Sequence, residues 1–155
     1  MGKGSITRVH HIGVTVNDAP KTLAAWEAMF EVKGKVVDIR EDFRIGVLTV
    51  AGVTFFFNEI RDSERRAKAI ENLNVPIMFG GHQIVTEHGE GISHIAFETT
   101  DLDYHLDKAR AAGMGVELDS HKDSLEGMCN FIDPDDVSLP LEFMMPVEGR
   151  KNPLE

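Results

Sequence analysis

Two short segments of the chain are similar to each other and carry a histidine at the same position. His11 lies in segment 9–18 and His94 in segment 92–101, an offset of 83 residues. A third residue of interest, Glu142, lies in an apolar stretch, where a carboxylate is costly to bury unless a partner balances it. Two imidazoles and one carboxylate form a ligand set for divalent metals. These residue types therefore predict a metal site.

A simpler reading of the same residues is that His11 and His94 are hydrogen-bonded core histidines and that Glu142 is a salt-bridge partner. For one isolated histidine that reading would be preferred. The repeat favours metal ligation, because two histidines occupy equivalent positions.

Each of the two segments is typical of a strand that leads into an amphipathic helix. Asp18 and Asp101 follow the strands and can cap the next turn by accepting hydrogen bonds from its unpaired amides. Strand-like runs follow each helix, so each half is predicted to be a βαβββ module. The predicted runs are Lys35–Arg40, Phe43–Val50 and Val53–Ile60 in the first half, and Gly115–Leu118, Met128–Ile132 and Ser138–Met144 in the second.

The predicted fold class is therefore α+β, with two paired βαβββ modules in a single domain over residues 1–155. Module one covers about residues 8–60 and module two about residues 92–146. A linker, 61–91, joins them, and a mostly polar tail, 147–155, follows.

Strand alternation decides which side chains share a face, because successive side chains point to opposite sides of a sheet. His11 shares its face with Gly13, and His94 shares its face with Ala96. Small neighbours beside an imidazole suit the wall of a cavity. Glu142 lies on the face opposite its apolar neighbours, so all three candidate ligands are predicted to face a cavity.

Composition excludes several classes of function. The chain has 155 residues, 26 of them acidic against 16 Lys and Arg, for a net charge of −10. This balance argues against nucleic acid and anionic membranes as partners. The single cysteine, Cys129, excludes an internal disulfide and a cysteine-based zinc site. With neither a signal-like N-terminus nor an apolar run near ~18 residues, we expect a soluble, cytoplasmic protein.

Three stretches of the sequence resemble the vicinal oxygen chelate superfamily, which includes glyoxalase I, fosfomycin-resistance proteins and extradiol dioxygenases. They are His-Ile-Gly-Val at 11–14, Glu-Gly-Ile-Ser-His-Ile-Ala-Phe-Glu at 90–98, and Asp-Pro-Asp with Leu-Glu-Phe between 133 and 143. The resemblance covers about residues 8–146, and within it stretch 89–98 looks most like methylmalonyl-CoA epimerase.

This resemblance implies two modules that form curved sheets around a central cleft holding one divalent metal ion. It implies His11, His94 and Glu142 as ligands of Mn, Co, Ni, Zn or Fe(II). It also implies a homodimer and a small-molecule substrate.

Members of the superfamily usually have a fourth ligand, Glu or Gln, in the last strand of module one. Counting from the turn at Gly52 reaches Phe57, whereas counting by the repeat reaches Glu59. Both lie on the same strand face. Either Glu59 is the fourth ligand, or Phe57 fills that corner and three protein ligands remain. Glu59 can also be read as a solvated strand end.

The number of ligands bears on the chemistry. With four ligands, a divalent metal is a Lewis acid that stabilises an enolate-like intermediate, which serves an isomerase, epimerase or lyase acting on a small oxygen-rich substrate. This is the leading prediction. With three ligands, the set is the 2-His-1-carboxylate triad of Fe(II) oxygenases, which favours an extradiol-type dioxygenase. A non-catalytic small-molecule binding protein on the same fold is the third alternative.

Proton transfer also requires positioned acids and bases. The candidates are Glu142 itself, Glu98 on the strand of His94, and His82 in the linker, where a lid would form. Glu98 can equally be a salt-bridge residue, and His82 a surface histidine. Methylmalonyl-CoA epimerases carry a further carboxylate on the third strand of module one, and the matching stretch, 44–50, has none.

Overall fold

The structure is a computed structural model. It describes residues 4–61, 90–116, 120–125, 127–132 and 140–154. Almost all of the predicted linker, including His82, lies outside the described residues.

The chain divides into two compact units, which we call the N-terminal unit, residues 11–93, and the C-terminal unit, residues 1–10 and 94–155. The division falls within the first strand of each predicted module. The elements, in chain order, are β1 (Ile6–Thr15), α1 (Ala19–Phe30), β2 (Lys35–Arg40), β3 (Phe43–Val50), β4 (Val53–Ile60), β5 (Gly91–Thr99), α2 (Leu102–Ala111), β6 (Lys122–Asp123), β7 (Gly127–Ile132) and β8 (Leu141–Pro146).

In the N-terminal unit the strand order is β2-β3-β4-β1, and β1 runs parallel to β4 with Gly13 opposite Phe56. Helix α1 covers one face of these strands because their apolar side chains alternate toward it. Its core is formed by Val16, Ala19, Leu23, Leu48 and Phe57.

In the C-terminal unit the strand order is β5-β8-β7-β6, and β5 runs parallel to β8 with Ala96 opposite Glu142. The start of β1 lies along β5, where the Thr100 amide donates to the Ser5 carbonyl at 3.0 Å. Helix α2 covers one face through a core of Leu102, Leu106, Ala109 and Ile132.

Both helices begin where the sequence predicts. The Asp18 carboxylate accepts a hydrogen bond from the Lys21 amide at 2.9 Å, and the Asp101 carboxylate accepts one from the Tyr104 amide at 3.0 Å. Each carboxylate therefore satisfies an amide that has no partner within its helix. At the end of α2, Gly113 adopts a φ of 81°, a left-handed conformation that glycine reaches without steric cost.

The three strands predicted after α1 have the predicted bounds, whereas the second half of the first strand predicted after α2 lies outside the described residues. Of Gly115–Leu118, Val116 forms an isolated bridge to Ile132. β7 pairs with β8 on one side and with β6 on the other, and next to β6 the Ser124 amide donates to the Gly127 carbonyl at 2.7 Å. The predicted α+β class with two βαβββ modules is confirmed, since β1-α1-β2-β3-β4 is followed by β5-α2-β6-β7-β8.

Among the described residues, no helix is both long enough and apolar enough to span a membrane.

Candidate metal centre

A histidine and a glutamate meet on one face of the C-terminal unit. Glu142 lies opposite Ala96 in the parallel pair β5–β8, and His94 precedes Ala96 by two residues, so both side chains point to the same side. The Nε2 atom of His94 lies 3.4 Å from Oε2 of Glu142. Their side chains are only 15% and 7% exposed. Leu141 and Phe143 pack against the core under α2, so Glu142 between them faces away from the helix.

Burial controls the charges of this pair. It lowers the pKa of His94 to about 4, because the imidazolium form loses its hydration. Burial also raises the pKa of Glu142 to about 7, and a hydrogen bond from the Cys129 thiol and the positive charge of Lys122 act in the opposite direction. His94 is therefore neutral at pH 7, and its contact with Glu142 is not an ion pair.

These two side chains fit a divalent cation. A metal ligand must offer a lone pair, and a neutral imidazole nitrogen together with a carboxylate oxygen provides the mixed nitrogen and oxygen donors that Fe, Mn, Co, Ni and Zn accept. A cation between them would also offset the cost of removing a carboxylate from water. In both burial and donor type, His94 and Glu142 match the predicted site.

His11 lies in the N-terminal unit and is also buried, with 3% of its surface exposed. Its imidazole stacks on the ring of Phe56, with centroids 4.1 Å apart and planes inclined by 21°. His11 thus shares a face with Gly13 and Phe56, away from α1, as strand alternation predicts. The stacked ring fixes the orientation of the imidazole.

Phe56 is the counterpart of Glu142 in the N-terminal unit. Gly13 lies opposite Phe56, as Ala96 lies opposite Glu142, and each small residue follows its histidine by two. The prediction that Phe57 fills this corner is wrong: Phe57 is fully buried against α1, its ring 5.0 Å from Trp26. Neighbouring residues of a strand face opposite sides, so a counting error of one residue moves the position to the other face.

Glu59 has a different partner from the one expected. Its Oε2 accepts a hydrogen bond from the amide of Ala19 at 2.8 Å, at the first turn of α1. Glu59 shares the face of Phe57, which packs on the helix, and not the face of His11. Because helix N-termini attract negative charge, this contact gives Glu59 a structural role and argues against the predicted role of metal ligand.

Glu98, a predicted acid or base, is held by two neighbours. Its carboxylate accepts hydrogen bonds from the Thr7 hydroxyl at 2.7 Å and from Nε of Arg8 at 2.9 Å. Burial acts to raise the pKa of Glu98, but these hydrogen bonds and the charges of Arg8 and His10 outweigh it and lower the pKa below its usual value. At neutral pH Glu98 is therefore an ionised hydrogen-bond acceptor. The third candidate, His82, lies outside the described residues.

Two residues beside Glu142 were not identified as functional from the sequence. Cys129 is 1% exposed and bonds to the carboxylate, and Lys122 lies directly across from Cys129 on β6. Alternation along β7 places Cys129 on the face opposite the helix-packed Ile132. The contact between Cys129 and Glu142 depends on the pairing of β7 with β8. Strand pairing cannot be read from the sequence of one strand.

Comparison with known families gives one match. The model of the glyoxalase/bleomycin resistance protein/dioxygenase superfamily matches residues 10–132. A comparison with curated proteins finds no match.

Solved structures share the fold at low sequence identity. Methylmalonyl-CoA epimerase from Mycobacterium tuberculosis superposes with a TM-score of 0.69 at 17% identity, over 95% of this chain and 93% of that one. A hypothetical protein from Bacillus halodurans C-125 has a TM-score of 0.72 at 17% identity, over 97% and 100%. A variant of Streptomyces coelicolor methylmalonyl-CoA epimerase, in complex with 2-nitronate-propionyl-CoA, has a TM-score of 0.64 at 23% identity, over 92% and 99%.

Proposed function

The chain belongs to the glyoxalase/bleomycin resistance protein/dioxygenase superfamily, and on this basis we propose that it is an enzyme that binds one divalent metal ion through His11, His94 and Glu142. The observation that carries the proposal is the buried contact of His94 with Glu142, 3.4 Å between Nε2 and Oε2. An imidazole kept neutral by burial beside a carboxylate is suited to holding a cation.

The repeat supports His11 as the remaining protein ligand. His11 and His94 occupy equivalent strand positions, each two residues before the small residue that faces the last strand of its module. Glu59 is left out of the set because its carboxylate is engaged at the start of α1.

The leading reaction is isomerisation, epimerisation or lyase-type bond cleavage of a small substrate that offers two neighbouring oxygens. A bound divalent metal supplies Lewis acidity, which makes a proton next to a substrate carbonyl easier to remove. The solved structures with this fold include epimerases of methylmalonyl-CoA, one of them in complex with methylmalonyl-CoA, and this supports an acidic carbon as the reacting centre.

The chain's own residues contribute a water-poor setting for this chemistry. Phe131 is directly opposite Glu142 on β7, and Ala96 is directly opposite it on β5. Both are buried and apolar, so they exclude water from the carboxylate and strengthen its interactions.

With Glu98 held by Arg8 and Thr7, we propose Glu142 as the group that accepts the substrate proton, and His82 as a further candidate.

A second function, Fe(II)-dependent dioxygenation, is favoured by one specific observation. Phe56 occupies the position that corresponds to Glu142 and carries no donor atom, so the ligand set is reduced to two histidines and one carboxylate. This is the triad that non-haem Fe(II) oxygenases use.

Metal loading under controlled conditions distinguishes the two functions. The apoprotein is loaded anaerobically with Co, Mn, Ni, Zn or Fe(II), one at a time, and incubated with methylmalonyl-CoA in deuterated water or with catechol in air. Deuterium at the carbon next to the carbonyl supports the isomerase, and ring cleavage with Fe(II) alone supports the dioxygenase. Turnover of neither, in protein that binds metal, favours the non-catalytic binding protein.

Two variants test the site itself. His94→Ala is expected to lose bound metal and any turnover, whereas His121→Ala is expected to keep both. His121 is a matched control, because it also lies in the C-terminal unit but contacts Asp103 at 2.9 Å. If the metal content is unchanged in both His94→Ala and His11→Ala, the proposed metal site is wrong.

A further inference from the structure

We propose that Cys129 is a positioning residue, whose thiol orients the Glu142 carboxylate for metal binding. The proposal rests on the metal site proposed above and assigns its buried cysteine a role. Cys129 belongs to the same unit as His94 and Glu142, so each contact used here lies within the C-terminal unit.

The register of β7 and β8 brings the two side chains together. Phe131 lies opposite Glu142 and Cys129 lies opposite Met144, so Cys129 and Glu142 are diagonal neighbours on one face of an antiparallel pair. Such neighbours are within reach of each other. Cys129 is 1% exposed and Glu142 5% exposed, and the thiol donates a hydrogen bond to the carboxylate.

Cys129 differs in its side-chain chemistry from the two residues directly across from Glu142. Ala96 and Phe131, which lie directly across from Glu142 on the two adjacent strands, have no donor group in their side chains. A glutamate has several rotatable bonds, and its terminal torsion is broad, so its carboxylate requires a donor to hold one orientation. Partners of this kind typically change metal affinity 10–100-fold when they are lost.

A thiol also suits this position sterically. Sulfur is polarisable and packs as a small hydrophobe, so Cys129 fills the space beside Met144 while it donates a weak hydrogen bond. An alanine retains only the Cβ atom, whereas a serine retains a donor on a shorter bond. The pair Cys129→Ala and Cys129→Ser therefore separates the donor function from packing.

The test measures binding of Co²⁺ alone to the full chain by calorimetry and by the visible spectrum of the bound ion. We expect Cys129→Ala to bind Co²⁺ about tenfold more weakly than wild type, with a changed spectrum. We expect Cys129→Ser to recover most of the affinity and the wild-type band positions. The spectrum reports ligand geometry, which a loss of stability alone does not alter.

Ile132→Val is the matched packing control. Ile132 is 2% exposed and lies on the same strand but packs against α2, so its truncation removes core volume without touching Glu142. This variant is expected to unfold more easily and to bind Co²⁺ as wild type does.

Three results would overturn the proposal. Equal Co²⁺ affinity and spectra in wild type and Cys129→Ala would show that the thiol does not orient Glu142. Equal weakening in the alanine and serine variants would assign the effect to packing. Failure of wild type itself to bind Co²⁺ would remove the metal site together with this role, which distinguishes loss of the proposed function from loss of the positioning role.

Discussion

The two modules place different side chains at the same structural position. In module two the residue opposite Ala96 is Glu142, which lies beside His94. In module one the residue opposite Gly13 is Phe56, which stacks on His11. One module thus pairs its histidine with a buried carboxylate, whereas the other pairs its histidine with an aromatic ring.

The difference shows that a repeated backbone need not repeat its chemistry. A buried carboxylate requires compensation, which module two supplies through Cys129 and the charge of Lys122. An aromatic ring has no such requirement and gains stability from the stacking contact and from burial. Both histidines occupy equivalent positions in the two modules, and the number of proposed metal ligands depends on one residue in the last strand of each module.

Making the modules alike is expected to have the largest effect. Phe56→Glu removes a buried ring and places a carboxylate beside His11, so we expect the apoprotein to lose about 3–5 kcal/mol of unfolding free energy. Co²⁺ is expected to restore more stability to this variant than to wild type, because a further ligand is available. Urea unfolding with and without Co²⁺ measures both effects.

Phe55→Glu is the matched control for that substitution. Phe55 lies on the same strand but on the opposite face, where its ring is 5.0 Å from Trp26. We expect Phe55→Glu to unfold more easily than wild type, and we expect Co²⁺ to restore none of the lost stability. Recovery of the same size in both variants would contradict the assignment of Phe56 as the counterpart of Glu142.

Changing Glu142 and Phe56 separately should affect metal affinity differently. Glu142→Gln removes the proposed anionic ligand, so we expect Co²⁺ affinity to fall at least about a hundredfold, or about 2.7 kcal/mol, which exceeds the effect of losing a residue that only positions a ligand. Phe56→Leu removes no donor, and its affinity is expected to stay within about twofold of wild type. Similar affinities in the two variants would rule out the asymmetry between the modules.

A smaller effect is expected at the helix that Glu59 supports. Glu59→Gln weakens the hydrogen bond to the Ala19 amide and removes a negative charge from the start of α1, so we expect a loss of about 1 kcal/mol in thermal or urea unfolding. Co²⁺ affinity should be unchanged. Asp18→Ala, at the same helix start, serves as a comparison of similar size. Reduced Co²⁺ affinity in Glu59→Gln alone would return Glu59 to the ligand set.

The smallest effect is expected at Glu98, and it depends on pH. Its lowered pKa in the folded state means that it stabilises the protein above its unfolded-state pKa, and that this contribution is lost as the pH falls through the folded-state pKa. Glu98→Gln should therefore be about 0.5 kcal/mol less stable than wild type at pH 7, a modest value because Arg8 is half exposed.

The difference between Glu98→Gln and wild type should vanish at the acid end of a pH series of urea unfolding curves. Arg8→Ala should show the same trend, and added salt should reduce both effects. A difference that grows toward low pH would mean that the sign of the Glu98 contribution is wrong.

Much of the architecture could be predicted because its determinants are local. The matching strand segments around His11 and His94, each followed by an aspartate cap, predicted two modules and both helix starts. Alternation also predicted that His11 and His94 face away from the helices, since side chains on a strand alternate whatever lies beside it. Glu142 was identified because a carboxylate within an apolar strand requires a partner.

The residue at the fourth candidate ligand position, in the last strand of module one, could not be predicted, because it depends on how the strands align. Glu142 follows His94 by 48 residues, whereas its counterpart Phe56 follows His11 by 45, so neither counting scheme reached Phe56. The helices and strands between the two positions differ in length from one module to the other, as in β2 (Lys35–Arg40) and β6 (Lys122–Asp123). A shift in register exchanges the two faces of a strand, so a small counting error changes a ligand into a core residue.

The sequence by itself determined the repeat, the helix caps, the strand faces and the candidate ligands His94 and Glu142, since these follow from local periodicity and residue chemistry. Only the tertiary structure decided that Phe56 stacks on His11, that Glu59 binds the start of α1, and that the Cys129 thiol reaches Glu142. The physical reason is that these contacts join separate strands and helices, and their partners are selected by register and packing rather than by spacing along the chain.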